Sequence, residues 1–369
     1  MSLTLLAILP GLFIWIAILV LPWRPWSTRE SLDAETSELR RDLSDITVLI
    51  PARNEAENIA NTLKALKDQG RGLHVIVIDD QSTDNTQEMA QASELDNLSI
   101  IAGQELQQGW SGKLWALEQG RQLVSNRYTL LLDADISLAP GLIATVLKKV
   151  EQEKLQMLSL MAFLKMETPW EKWLMPAFIF FFKLLYPFHL ANKEKSLFAA
   201  AAGGFILLET DILEKLGGFH CIKDALIDDC SLAAQIKKAG HKTWTGLTHS
   251  AISTRSYNDL ASIWQMVTRT AYTQLFYSPL LLLVCTLLMC VAFILPLWGI
   301  FQTNDVLLYA VLTMMIQVFC YWPTIEYYSL SKYWVLGLPF AGILYLLMTW
   351  HSAYQHYFAK GATWKGRHY

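Results

Sequence analysis

Charged side chains are scarce in this chain, and it lacks the cysteine spacings that build metal or disulfide frameworks. Only 17% of the 369 residues are Asp, Glu, Lys or Arg, against about a quarter in a typical soluble domain. No block of Lys and Arg occurs, which argues against a nucleic-acid-binding protein. None of the five cysteines forms a CxxC pair, so a zinc site or disulfide framework is not expected. The 53% of hydrophobic residues, with 14 Trp and 14 Tyr, instead predict a membrane protein.

The first apolar run covers residues 3–23 and predicts an N-terminal transmembrane anchor over 1–23. A cleaved signal peptide fits poorly, because no basic residue precedes the run and no small-x-small site follows it. Basic residues come directly after it: Arg24, Arg29, Arg40 and Arg41. By the positive-inside rule they place the linker 24–43, and the domain after it, in the cytoplasm.

The second apolar region covers residues 278–350 and predicts a C-terminal transmembrane region. Two spans are expected at about 279–300 and 306–322, and a third apolar stretch covers 334–350. Three spans would place the tail 351–369 outside. The tail is nevertheless basic, which favours the inside: Lys360, Lys365, Arg367 and His368. Two or three full spans therefore remain open.

Two further segments are expected at the membrane surface. Residues 168–188 combine many aromatic side chains with few charges and one internal proline, which predicts an interfacial helix. The alternative is an ordinary core helix of the soluble domain. Residues 256–277, just before the C-terminal spans, are expected to form a second interfacial segment.

The middle of the chain, 44–255, alternates apolar strand patterns with helical ones. This order predicts an α/β domain with a parallel sheet, in which ligands bind at the carboxyl ends of the strands. The predicted strands are 46–50, 74–79, 99–102 and 128–132. A helix is predicted over 56–67.

Acidic residues follow two of these strands. Asp79 and Asp80 end the second strand, and Asp133 and Asp135 end the fourth. The spacing of Asp133 and Asp135 allows both carboxylates to bind one divalent cation, Mg²⁺ or Mn²⁺, which would neutralise a diphosphate. The alternative is a pair of solvated or capping aspartates.

The other strand ends supply candidates for a nucleotide site. A carboxylate at Asp79 or Asp80 could accept the imide N–H of uracil or bind a ribose hydroxyl. Pro51, Arg53 and Glu55 end the first strand and could wall the same crevice. The alternatives are a capped turn and a plain loop into a helix.

Four more charged residues are candidates for chemistry on a phosphate or hydroxyl. Lys113 lies in a glycine-containing turn predicted to be flexible, and a lysine point charge suits phosphate. Asp228 and Asp229 precede a helical pattern at 231–238, as helix caps or as a general base. Arg269 could reach a diphosphate, or could snorkel at the membrane surface.

The motifs PARNE, VIDDQSTDNT, GWSGKLWAL, LLLDAD, AAGGF and LIDDCSLA follow one another in this order. Together they resemble the family 2 glycosyltransferases with the A-type fold, over about residues 44–270. GWSGKLWAL, ALIDDCSLAAQIKKAG, RTAYTQLFYSPLLLL and GATWKGRHY are similar to the hopene-associated glycosyltransferases of bacteria. Ceramide glucosyltransferases look like more distant relatives.

This resemblance implies roles for the acidic strand ends and for the lysine. It implies that Asp79 and Asp80 hold the nucleotide, and that Lys113 lies near the diphosphate and donor sugar. Asp133 and Asp135 match the DxD motif that binds the metal and the nucleotide.

The resemblance also implies a catalytic base. Asp229 matches the base of the family's ED motif, and Asp228 stands where Glu is usual. Many relatives carry QxxRW, but here only Arg269 fits, which argues against polysaccharide processivity.

We therefore expect a multi-pass protein of the bacterial inner (cytoplasmic) membrane, with its catalytic domain facing the cytoplasm. The implied activity is inverting transfer of a sugar from a UDP-sugar to the hydroxyl of a lipid, a hopanoid or related isoprenoid. Carotenoid, diacylglycerol and ceramide-type acceptors are alternatives. A non-catalytic, nucleotide-binding membrane assembly factor is the alternative from another class.

Overall fold

The computed structural model describes residues 3–39, 41–358, 363–364 and 367–368. One eight-stranded sheet forms the centre of the described chain. Its strands are β1 (Ile46–Ala52), β2 (His74–Asp79), β3 (Leu98–Ala102), β4 (Tyr128–Leu132), β5 (Ile136–Leu138), β6 (Met157–Leu164), β7 (Phe205–Glu209) and β8 (Thr243–Ser253). A separate two-stranded ladder pairs β9 (Thr363–Trp364) with β10 (Arg367–His368).

The α-helices alternate with these strands and then follow one another at the C-terminal end. They are α1 (Leu3–Val20), α2 (Ile59–Lys67), α3 (Thr86–Gln91), α4 (Gly112–Arg121), α5 (Leu142–Glu153), α6 (Pro169–Leu185), α7 (Phe188–Ala191), α8 (Thr210–Lys215), α9 (Asp228–Lys238), α10 (Leu260–Thr268), α11 (Pro279–Met289), α12 (Leu295–Gly299), α13 (Asn304–Tyr327) and α14 (Leu338–Phe358). A π-helical turn, Cys290–Ile294, joins α11 to α12, and 3₁₀ turns lie at Thr36–Glu38, Gly218–Ile222, Thr273–Leu275 and Lys332–Gly337.

The strand order is β3-β2-β1-β4-β7-β6-β8-β5. The four predicted strands are confirmed and pair in parallel. The predicted parallel sheet is extended by strands that were not predicted, and two of these run the other way: β7 is antiparallel to β4 and β6, and β5 is antiparallel to β8. The chain between β4 and β7 contains α5, β6 and α6, so no single helical crossover links these two strands. The handedness rule for βαβ units therefore does not apply to this pair.

Helices cover both faces of the sheet, which explains why the central strands are apolar throughout. In β1, Val48 and Ile50 pack with α2 and α5 on one face. Leu49 packs with α4 and α9 on the other. A strand buried on both faces loses the alternation of polar and apolar residues, as the sequence of β1 shows.

Three C-terminal helical segments are long and apolar enough to cross a membrane: Pro279–Gly299, Asn304–Tyr327 and Lys332–Phe358. How many of the three are full spans stays a prediction. Their orientation stays a prediction, and Lys360 and Lys365 of the expected basic tail lie outside the described residues.

Helix α1 is apolar but shorter, about 27 Å at 1.5 Å per residue. It packs against α13, and the Trp15 indole donates to the carbonyl of Ala292 at 3.0 Å. Its role as a membrane anchor remains a prediction.

Helix α6 joins the sheet domain to the C-terminal helices. A capping box of Thr168 and Glu171 starts it. The Tyr345 hydroxyl donates to the carbonyl of Leu174 at 2.9 Å, and the ring of Phe180 stacks on Trp15. Most of its apolar surface is therefore covered by protein, largely by α1 and the C-terminal helices. Its location at a membrane surface remains a prediction.

Candidate active site

The turn between β4 and β5 presents Asp133 and Asp135 at the carboxyl end of β4, as predicted. The end of β8 holds this turn in place, because the backbone N–H and hydroxyl of Thr254 both donate to the carbonyl of Asp135. Asp135 is buried, with 6% of its surface exposed. Burial raises the pKa of its carboxyl, and the nearby charges of Asp133 and Glu55 add to this rise.

Lys113 lies in the first turn of α4, so the predicted flexible turn is wrong. The Ser111 hydroxyl caps this helix by accepting from the backbone N–H of Leu114. The Lys113 ammonium lies 2.7 Å from Asp133 Oδ1 and 3.7 Å from Asp228 Oδ2. Burial opposes the charged form, but these carboxylates outweigh it and raise the pKa of Lys113. The lysine therefore connects the β4 turn to the start of α9.

Arg255 is a charged residue of the site that sequence analysis missed. Its Nε lies 2.9 Å from Asp135 Oδ2, and its Nη2 lies 3.2 Å from Glu55 Oε1. The antiparallel register pairs Ser253 with Ile136, which brings Thr254 opposite Asp135 and its neighbour Arg255 within reach of the Asp135 carboxylate. The sequence offered one indication of this role, because Arg255 comes just after a strand. The pairing of β8 with β5, on which the contact with Asp135 depends, was not predicted.

Asp228 and Asp229 occupy the first turn of α9 and face different surroundings. Asp228 faces Lys113, whereas Asp229 Oδ1 accepts from the backbone N–H of Cys230 at 2.7 Å. Burial raises the pKa of Asp229 to about 7, and the charge of Asp228 adds to this rise. A carboxyl that titrates near neutral pH is suited to take a proton from a substrate.

Gly203 allows this arrangement. A Cβ at this position would lie 3.2 Å from Lys113 Nζ and 3.5 Å from Asp229 Oδ2. A side chain there would require the Lys113 ammonium to shift by a few tenths of an ångström and would lie in contact with the Asp229 carboxylate.

Most of the predicted site residues meet in one charged cavity of about 150 Å³, which we call the polar cleft. Its predicted members are Pro51, Glu55, Lys113, Asp133, Asp135, Asp228 and Arg269. Arg255 and the loop residues Ser111, Ala134, Ala225 and Leu226 complete its lining. The cleft thus carries four acidic and three basic side chains at the strand ends where ligands of α/β domains bind.

Three predicted residues lie at a neighbouring strand end and do not line the polar cleft: Arg53, Asp79 and Asp80. Arg53 Nη1 donates to the backbone carbonyls of Asp80 and Gln81, at 2.6 and 3.1 Å. Asp79 Oδ1 accepts from the backbone N–H of Ser82. These bonds order the turn after β2, and nucleotide binding by these three residues remains a prediction.

A second, larger cavity opens beside Asp228 and Asp229. It measures about 480 Å³ and is walled mainly by apolar side chains of α1, α6, α11 and α14, and we call it the apolar pocket. Leu226, Asp228 and Arg269 line both cavities, whereas Asp229 lines only the apolar pocket of the two. Sequence analysis did not find this pocket, because its walls come from helices far apart in the chain.

The polar cleft can accept a divalent cation. Asp133 and Asp135 are hard oxygen donors, each already neutralised by a basic side chain. Among the described residues, no three His, Cys, Asp or Glu side chains are grouped to hold a metal. Two carboxylates therefore fit an ion that is completed by water and phosphate oxygens, which is how Mg²⁺ is usually bound.

The fold and the charged strand ends define an α/β domain of the A-type glycosyltransferase fold, as predicted. Residues 47–217 match the family model described as Glycosyl transferase family 2. A mannosyltransferase from Pyrobaculum calidifontis, solved in complex with GDP-Man and Mn²⁺, has the same fold. It aligns with a TM-score of 0.55 and 18% identity, over 97% of this chain and 99% of that chain.

Two curated relatives are named 4,4'-diaponeurosporenoate glycosyltransferase. The one from Staphylococcus haemolyticus is 33% identical over 95 residues, which are 25% of this chain and 24% of that protein. The one from Staphylococcus aureus is 30% identical over 112 residues, 30% of this chain and 29% of that protein. The matched region thus spans less than a third of the length of these relatives.

Proposed function

We propose that the protein is a membrane-bound, inverting glycosyltransferase that moves a sugar from a nucleotide sugar to the hydroxyl of a lipid. One observation carries this proposal: the apolar pocket, whose lining includes the Asp229 carboxyl, joins the polar cleft at Leu226, Asp228 and Arg269. A proton acceptor in an apolar pocket that adjoins a charged cavity suits a reaction between an apolar acceptor and a charged donor.

The apolar pocket supports a lipid acceptor. Its volume of about 480 Å³ lies within the range of about 300–1,000 Å³ common for small-molecule sites. Its walls combine α1 and α6 with α11 and α14 of the C-terminal apolar region, and Asp229 lies in its lining. A lipid tail in this pocket would leave its polar hydroxyl at the carboxylate, whereas a water-soluble acceptor would gain nothing from such walls.

The polar cleft supports a nucleotide diphosphate as the donor. Its basic side chains, Lys113, Arg255 and Arg269, can bind phosphate oxygens. A divalent cation bound by Asp133 and Asp135 would neutralise charge on the leaving diphosphate. Lys113 would stabilise the same developing charge from the protein side.

In the proposed reaction, the lipid hydroxyl oxygen forms a new bond to the anomeric carbon. The bond from that carbon to the diphosphate oxygen breaks on the opposite face, and its electron pair leaves with the nucleoside diphosphate. Asp229 takes the hydroxyl proton, and a carboxyl whose pKa is raised to about 7 is suited to this step. Configuration at the anomeric carbon is inverted.

The finer assignments rest on sequence similarity. We propose UDP as the nucleotide, a hopanoid or related isoprenoid as the acceptor, and the bacterial inner membrane as the location, with the catalytic domain in the cytoplasm. The relatives named for 4,4'-diaponeurosporenoate support a lipid acceptor, and the carotenoid alternative is therefore kept in the test.

The test uses the full chain, purified in mild detergent. It is supplied with UDP- and GDP-sugars, Mn²⁺ or Mg²⁺, and separate hopanoid, carotenoid, diacylglycerol and ceramide acceptors. Mass spectrometry detects glycolipid, and Asp229→Asn serves as the inactive comparison. A glycolipid that forms with wild-type protein and disappears with the variant supports the proposal and identifies donor and acceptor.

Two outcomes contradict the proposal. Glycosylation of water-soluble acceptors alone would refute the lipid assignment. Nucleotide binding without any product, across the whole acceptor panel, would favour the non-catalytic assembly factor.

A further inference from the structure

Two of the basic side chains of the polar cleft, Lys113 and Arg255, contact carboxylates of different burial. Lys113 contacts carboxylates of two separate segments, Asp133 and Asp228. Arg255 instead bridges two buried acids, Asp135 and Glu55, which are 6% exposed each. The Arg255 side chain is itself 37% exposed, so a ligand in the cleft can reach it.

The guanidinium balances negative charge that would otherwise be unfavourable. Asp135 and Glu55 are both buried and both contact Arg255, so one positive charge balances two carboxylates that have little access to water. A divalent cation at Asp135 would provide the same balance. Arg255 and such a cation repel each other and need the same carboxylate.

Other bonds already hold the shape of this corner. The hydroxyl and N–H of Thr254 donate to the carbonyl of Asp135. Asn58 Nδ2 donates to Glu55 Oε2 at 2.9 Å, and its Oδ1 accepts from the Thr254 hydroxyl at 2.9 Å. The Asp135 backbone and the Glu55 carboxylate therefore have partners other than the guanidinium, which can exchange its own partners while these bonds stay in place.

We infer that Arg255 is an exchangeable counter-ion: it neutralises Asp135 in the ligand-free protein and turns to the nucleotide diphosphate when a divalent cation takes Asp135. This inference rests on the proposed function. A guanidinium binds phosphate oxygens in a bidentate manner. Arg255 would therefore replace one strong partner, the Asp135 carboxylate, with another, the diphosphate. Metal and nucleotide consequently favour each other's binding, and by linkage the effect is the same in both directions.

The test is isothermal titration calorimetry on the full chain in detergent. Mn²⁺ alone, UDP or GDP alone, and each nucleotide with Mn²⁺ are titrated into wild-type protein and Arg255→Gln. With the competing charge gone, the variant should bind Mn²⁺ alone about fivefold more tightly or better. The enhancement of nucleotide affinity by Mn²⁺ should shrink at least about threefold in the variant, because no guanidinium is released to the diphosphate.

Two further variants keep the result interpretable. Arg255→Lys retains the positive charge and should bind Mn²⁺ alone nearly as weakly as wild type. This variant gives a result even if Arg255→Gln folds poorly. Arg121→Gln is the matched control, because Arg121 also bridges two carboxylates, Glu118 and Glu214, and does not line the polar cleft. Its Mn²⁺ affinity should not change.

The inference is overturned if Arg255→Gln is folded by thermal melting and binds Mn²⁺ alone no more tightly than wild type. It is also overturned if the metal enhances nucleotide affinity equally in both proteins. If wild-type protein binds neither UDP nor GDP in the presence of Mn²⁺, the proposed function itself is refuted.

Discussion

The polar cleft and the apolar pocket are neighbours that are built in opposite ways. Strand ends and helix N-termini supply the cleft, and its charged side chains are largely paired with one another. Helix sides supply the pocket, and its walls are mainly apolar. The two share Leu226, Asp228 and Arg269. This division indicates that donor binding and acceptor binding can be altered separately, and that a change at the junction should affect both.

Asp228 and Asp229 show the same contrast within one helical turn. Asp228 contacts Lys113 and lines both cavities, whereas Asp229 lines the pocket and not the cleft. Neighbouring positions on a helix point about 100° apart, because 3.6 residues complete a turn. Two adjacent aspartates can therefore have different surroundings.

The largest expected effect comes from Asp229→Asn. Loss of a general base should lower turnover by about 10²- to 10⁴-fold, while nucleotide affinity stays within about twofold because the cleft's cations remain. Radiolabelled sugar transfer and calorimetry measure the two quantities. Asp211→Asn, an exposed aspartate on α8, is the control and should behave as wild type. Near-full activity of Asp229→Asn would remove Asp229 from the catalytic role.

The pH dependence gives a second measurement on the same carboxyl. Asp229 must be ionised to accept a proton, so activity should rise with pH and level off above about 7. Stability should change in the opposite direction. The folded protein holds this proton more tightly than the unfolded chain, so stability is lost as pH rises from about 4 to about 7. Asp229→Asn should therefore melt at a higher temperature than wild type at pH 8.

The next largest effect is expected for Lys113→Gln. Removal of a charge beside the leaving diphosphate should reduce turnover by about 10²- to 10³-fold. Because the positive charge of Lys113 lowers the pKa of Asp229, the rising limb of the pH–rate profile should also move to higher pH. Lys148→Gln is the matched control, since Lys148 also contacts two carboxylates, Glu35 and Glu38, outside both cavities. If the rising limb of the pH–rate profile does not move, the charge of Lys113 does not act on the Asp229 carboxyl.

The cleft could largely be predicted from local sequence patterns. Short apolar runs predict buried strands, and parallel strands place their carboxyl ends at one edge, so Asp133 and Asp135 could be assigned to a ligand site. Arg255 could not, because its position depends on the antiparallel pairing of β5 with β8. That pairing joins segments more than a hundred residues apart, and no local pattern encodes it.

The apolar pocket could not be predicted from the sequence, for a related reason. Its walls combine α1 with α6, α11 and α14, and apolar membrane helices carry no periodic signal that shows which faces meet. Residues 168–188 illustrate the difficulty, because an aromatic helix looks alike whether lipid or protein covers it. In the structure, protein covers most of α6.

A smaller effect, confined to the acceptor, is expected for Cys285→Trp. Cys285 lines the apolar pocket, and an indole there would fill space needed by a lipid. Overpacking of about 1–3 kcal/mol should slow lipid glycosylation about tenfold or more. Nucleotide affinity should not change, because Cys285 does not line the cleft.

Leu287→Trp provides the control for this prediction. Leu287 lies on the same helix but is 66% exposed on its outer face, so the added ring has open space. Lipid glycosylation by this variant should match that of wild type. Equal slowing by both tryptophans would show that the helix was disturbed and would not support an acceptor pocket. No slowing by Cys285→Trp would indicate that the lipid binds elsewhere.

The smallest effect is expected from a change at Ser352 that moves Arg269, one of the residues that line both cavities. The hydroxyl of Ser352 on α14 accepts from the N–H of Tyr272 at 3.0 Å and donates to the carbonyl of Thr268 at 2.5 Å. Ser352 thus fixes the turn that carries Arg269, as a positioning residue. Ser352→Ala should loosen this turn by about 1 kcal/mol and weaken donor affinity about fivefold.

A matched variant separates positioning from general stability. His351→Ala removes the bond from the Trp264 indole to His351 and loosens the same pair of helices, without touching the turn at Arg269. Both variants should lower the melting temperature, but only Ser352→Ala should raise the KM for the nucleotide sugar. If both raise it equally, Arg269 depends on the packing of α10 and α14 as a whole, and the junction between the cavities is not held by one hydroxyl.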